Sequence, residues 1–103
     1  MDITEAFELV DDISEYDLKK NGFRNGTYKC FVYKDIIQLI IDVEINKDED
    51  NYWGYQIHNV DTQSIYAGYY NRDYGIDVHL KEIDQTVNKV MNKLVKAKIF
   101  KKL

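Results

Sequence analysis

Hydrophobic residues recur along this chain in two rhythms. Between residues 2 and 15, Ile3, Phe7, Val10 and Ile13 stand three or four apart, with Ala6 and Leu9 beside them. That spacing lines one face of a helix. Asp2 or Thr4 is placed to cap its start, and early acids suit the positive end of the helix dipole. Tyr16 and Leu18 extend the pattern towards Lys20. Asn21-Gly22 then supplies a stop, because glycine accepts the left-handed conformation that ends helices.

A second turn signal, Asn25-Gly26, precedes a change to period two. Residues 27 to 34 are rich in aromatic and β-branched side chains and predict a strand. Residues 37 to 46 follow, with Ile37, Leu39, Ile41, Val43 and Ile45 on one face. Gln38, Asp42 and Glu44 lie on the other, with Ile40 the exception, as in a half-buried antiparallel strand. The acidic loop NKDEDN separates this segment from a strand at 52 to 59. Asp61 to Gln63 turns the chain into a last strand at 64 to 70, and a polar loop covers Asn71 to Gly75.

A final helix is expected from near Asp77 or Val78. Leu80, Ile83, Val87, Val90, Met91 and Leu94 form its apolar stripe, with Val95 and Ile99 less well aligned. Asp77, Glu82 and Asp84 come early; Lys89, Lys93, Lys96, Lys98, Lys101 and Lys102 come late, the order the dipole favours. The expected fold class is α+β, in one domain over residues 1 to 103. An N-terminal helix, a three- to four-stranded antiparallel sheet and a C-terminal helix follow in order, with both helices packed on one face of the sheet.

This order resembles double-stranded-RNA-binding domains, which run α-β-β-β-α. Those domains carry lysines at the start of their second helix. Here that start reads Asp77-Val78-His79-Leu80-Lys81-Glu82, so the resemblance extends to element order and not to RNA binding.

If the odd-numbered residues of 37 to 45 face the helices, the alternation can be carried across the turns. Trp53, Tyr55, Ile57, Ile65, Ala67 and Tyr69 then point to the core. Tyr52, Gln56, His58, Tyr66 and Tyr70 are left on an open face with Asp42 and Glu44, and Tyr33 and Ile40 are further candidates for it. Six of the nine tyrosines and the one tryptophan crowd into residues 52 to 74, which makes this aromatic face the chief interaction candidate. Tyrosine supplies contact area and a polar tip at little entropic cost. The structural alternative is cross-strand tyrosine pairs that stabilise the sheet.

Composition narrows the function. A chain of 103 residues with 45% hydrophobic content can bury one core without staples. A formal net charge of -4 argues against phosphate recognition as the main task. One cysteine, Cys30, permits no internal disulfide. No basic leader opens the chain, and Gln38 and Asp42 interrupt its longest apolar run, so a cytoplasmic location is expected. Proline is absent and lysine outnumbers arginine, a usage common in AT-rich coding genomes.

Sequence signals for catalysis are weak. No nucleophile elbow, phosphate loop, dinucleotide fingerprint or metalloprotease motif occurs. His58, His79 and Cys30 are the only candidates, and no orienting partner stands near them in sequence. Asp42, Glu44, Asp48, Glu49 and Asp50 invite a calcium reading, but the loop lacks the glycine and the regular ligand ladder. No metal, no cofactor and no enzymatic activity are therefore expected.

The expected role is binding a protein partner with a basic surface. The surface would comprise Tyr52, Gln56, His58, Tyr66 and Tyr70, with Asp42, Glu44, Asp48, Glu49 and Asp50. One version is an inhibitor of a nucleic-acid-processing protein, presenting carboxylates where phosphates would sit. Homo-oligomerisation through the same face is a further option. The rivals are nucleic-acid binding through the C-terminal lysines and a small-molecule or enzymatic site around His58.

Overall fold

The computed structural model describes residues 3–46, 50–66, 69 and 80–103. The protein is α+β, with two antiparallel sheets and helices. The larger sheet has four strands in the order β2 (Thr27–Tyr33), β3 (Ile37–Glu44), β4 (Tyr52–Asn59) and β5 (Ser64–Ile65). The smaller has two, β1 (Phe7–Leu9) and β6 (Phe100–Lys102), drawn from the two ends of the chain.

The N-terminal segment corrects the expectation of one helix over residues 2 to 15. A short α1 (Ile3–Ala6) gives way to β1, and α2 (Glu15–Lys20) begins only after a turn. Both spacings are present in the sequence. Ile3 and Phe7 are four apart, whereas Phe7 and Leu9 are two apart, and all three are buried. The period-two reading wins because β6 supplies a strand to pair with, in the register Phe7↔Lys102, Glu8↔Lys101 and Leu9↔Phe100. Ser14 caps α2. Its hydroxyl accepts from the Asp17 amide while the Asp17 carboxylate accepts from the Ser14 amide, forming a capping box.

Both turn glycines act as their dipeptides suggest. The Gly22 amide donates to Lys19 and the Phe23 amide to Leu18, closing α2 in a Schellman motif with Gly22 at φ 95°. Asn25 and Gly26 both take positive φ in a two-residue turn, across which Arg24 and Thr27 exchange backbone hydrogen bonds. The Gly26 carbonyl also accepts from the Val43 amide, so β3 passes close beneath the turn. A β-carbon on Gly26 would stand 2.6 Å from the Val43 carbonyl oxygen.

In β3 the odd positions Ile37, Leu39, Ile41 and Val43 are buried, as expected. They share one hydrophobic cluster with Ile57 of β4 and with Ile83, Val87, Met91 and Leu94 of α3 (Leu80–Lys96). Trp53 and Tyr55 pack against this cluster, also as expected. A register shift between Phe31 and Tyr33 places Tyr33 opposite Ile37. Tyr33 therefore packs against the core and does not join the open face.

Two expectations fail at the far edge of the sheet. The last strand ends at Ile65, not at residue 70. Ile65 pairs with His58 and is 53% exposed, while Tyr66 packs against the core. A one-residue difference in register exchanges the two faces. Tyr69 is buried, as expected. The chain beyond α3 also departs from a helix. Lys98 adopts φ 63°, and Phe100–Lys102 become β6.

Candidate docking face

The pairing register builds a surface from the even-numbered positions of β3. Across the sheet, Thr27, Asp42 and Gly54 form one row; Lys29, Ile40 and Gln56 form the next; Phe31, Gln38, His58 and Ile65 form the third. Glu44 and Tyr52 pair at the end of the face. Phe31 is 48% exposed and Tyr52 56% exposed. With Ile65 they place three large apolar side chains on the side of the sheet opposite the buried β3 residues.

The face has two halves. Phe31, Ile40 and Ile65 lie in one half, among the polar Lys29, Gln38, Gln56 and His58. Asp42 and Glu44 make the other acidic, and both carboxylates are exposed. The Thr27 hydroxyl donates to Asp42 at 2.6 Å. The Tyr52 hydroxyl donates to Glu44. That hydrogen bond, with smaller contributions from desolvation and from the Glu44 charge, raises the Tyr52 phenol above its ordinary pKa. Among the described residues, no cation lies within ion-pair distance of Asp42 or Glu44.

Gly54 shapes the acidic half. It sits in the interior of β4 opposite Asp42. Its φ is not left-handed, and a β-carbon there would meet nothing within 4 Å. Glycine in a strand interior costs about 0.5–1 kcal/mol relative to alanine, and neither backbone geometry nor crowding requires it here. A surface hollow of about 460 Å³ lies beside it, bordered by Thr27, Asp42, Glu44 and Tyr52.

The sequence-derived surface is therefore assembled in part. Tyr52, Gln56, His58, Asp42 and Glu44 share the face. Tyr66 does not, because the chain leaves β5 before it. Asp50 lines a different cleft with Glu8, Asp11 and Trp53. Tyr70, Asp48 and Glu49 lie outside the described residues, as do Ala67, His79 and the expected helix start at Asp77 or Val78. Thr27, Phe31, Gly54 and Ile65 were missed. Phe31 and Thr27 alternate with Tyr28 and Cys30 in sequence, but only the register to β3 reveals which set faces outward.

The pairing also separates the candidate catalytic groups. Cys30 stands opposite Leu39 and shares its buried face, whereas His58 stands opposite Gln38 on the open one. A Cys30–His58 pair is thus divided by the sheet. Burial raises the Cys30 thiol pKa, partly offset by the charge of Lys93. The His58 Nδ1 atom is buried without a hydrogen-bond partner among the described residues. Among those residues, no group of three or more metal-ligating side chains converges. No described helix is long and apolar enough to cross a membrane.

The C-terminal lysines are dispersed. Lys101 lies 3.8 Å from Glu8 across the β1–β6 pair, with both side chains about half exposed. Lys98 occupies the turn that ends α3. Compared with models of known protein families, with curated proteins and with solved structures, the chain matches none.

Proposed function

We propose that this is a protein-interaction module that docks a partner with a basic surface on the open face of its larger sheet, the helices covering the opposite face. The observation that carries this reading is the grouping of exposed Phe31, Tyr52 and Ile65 with Asp42 and Glu44 on that face. Binding energy concentrates where apolar anchors are desolvated, while charged groups steer the approach and select the partner. Here Phe31 and Ile65 lie towards one end of the surface, and Tyr52 stands beside the charges at the other. A narrower form is an inhibitor of a nucleic-acid-processing protein, with Asp42 and Glu44 taking the place of phosphates.

Affinity capture from a cell lysate tests the reading. Wild type is compared with Phe31→Asp/Ile65→Asp and with Tyr16→Ala, which alters an exposed residue of α2. A protein retained by wild type and Tyr16→Ala, but lost from the folded double variant, is the expected result. The narrower form further requires that short nucleic acids displace the captured protein. Identical capture by all three chains rejects the open face as the docking surface.

A further inference from the structure

We infer that the hollow over Gly54 receives an arginine side chain of the protein partner. This rests on the docking reading above and adds the chemistry of its acidic half. The first observation is a strand glycine that the fold does not require. Its φ is ordinary, and the space a β-carbon would fill is empty. Glycine within a strand marks places where another molecule approaches the backbone closely. The surface hollow that it borders, about 460 Å³, has room for a side chain.

The second observation is complementary charge. Asp42 and Glu44 border the hollow without a cation among the described residues. Each is held by one donor, Thr27 for Asp42 and Tyr52 for Glu44. A carboxylate accepts several hydrogen bonds, so both keep acceptor positions free. They are two residues apart on one strand, so their side chains leave the sheet about 7 Å apart. A guanidinium fork can bridge two such carboxylates. Its plane can also lie against the exposed Tyr52 ring, which an ammonium matches less well. Arginine is therefore the preferred occupant, ahead of lysine.

The test titrates ¹⁵N-labelled protein with N-acetyl-arginine amide, then with the corresponding blocked lysine. The expected result is saturable shifts of the Thr27, Asp42, Glu44, Tyr52 and Gly54 amides, with arginine binding more tightly. Gly54→Val projects a branched side chain into the hollow beside Asp42 and should weaken the arginine response at least tenfold, while its thermal midpoint equals or exceeds that of wild type. Asp42→Asn/Glu44→Gln keeps the hollow, removes the charge and should lose the response equally. An unsaturable response in wild type, or an unchanged one in Gly54→Val, overturns the inference. Repeating the lysate capture with Gly54→Val separates the two readings. Capture that survives Gly54→Val but not Phe31→Asp/Ile65→Asp rejects the arginine hollow and leaves the docking face standing.

Discussion

The Tyr52 hydroxyl is fixed by the residue across the strand pair from it. Ionising the phenol would break its hydrogen bond to Glu44 and place two negative charges side by side, so the folded protein holds that proton more firmly than the unfolded chain does. The folded pKa lies above the unfolded value of about 10. The contribution to stability is therefore complete below that value and disappears as pH rises through the folded pKa. With ¹³Cζ-labelled tyrosine, Tyr52 should titrate later than an ordinary tyrosine, and Glu44→Gln should bring it back towards the usual range. Titration of Tyr52 at an ordinary pKa in wild type would refute the hydrogen bond as the cause. At this scale the sequence was a partial guide. It placed Tyr52, Asp42 and Glu44 on one face because strict alternation runs through β3 and β4. It misplaced Ile65 and Tyr66 because the turn between β4 and β5 sets their parity, and hydrophobicity does not distinguish isoleucine from tyrosine there.

Two helix ends show what element-scale signals capture and what they miss. Both close with the same hydrogen-bond pattern. In α2 the Phe23 amide reaches the Leu18 carbonyl, and in α3 the Ile99 amide reaches that of Leu94. In each case the two apolar residues so joined are buried. The left-handed position is Gly22 in the first and Lys98 in the second. Glycine announces the first stop in the sequence; lysine conceals the second, so α3 seemed to run on through the lysine-rich tail. A side chain in the left-handed region costs about 1 kcal/mol. Lys98→Gly should remove most of that cost and stabilise the protein by about 0.5–1 kcal/mol. Urea denaturation would read this as a higher midpoint at unchanged slope. A lower midpoint would show that the lysine contributes contacts worth more than the strain.

At the scale of the whole molecule, the two chain ends are bound to each other and to the main sheet. The Leu103 amide donates to the Ala6 carbonyl and the Val10 amide to that of Ile99, on either side of the three paired residues. Phe100 is 1% exposed, and its ring meets Trp53 of β4 edge-on at a centroid distance of 4.6 Å. Local periodicity could not reveal this clasp, since each strand is three residues long and its partner lies at the far end of the sequence. An electrostatic account of the clasp would pair the lysines of the tail with acids near the N-terminus. The Glu8–Lys101 pair does form, but half-exposed ion pairs contribute at most about 1 kcal/mol. Removing a buried phenylalanine side chain costs about 3–5 kcal/mol, a large part of the 5–15 kcal/mol typical of a folded protein. Phe100→Ala should therefore destabilise strongly, while Glu8→Gln should change the urea midpoint little. Hydrogen exchange supplies the structural half of the comparison. In Phe100→Ala, amide protection should fall in β1 as well as β6, because neither strand has another partner among the described residues. If Glu8→Gln cost as much as Phe100→Ala, charge would hold the ends together; the burial of Phe7, Leu9 and Phe100 around the same pairing says that apolar packing does.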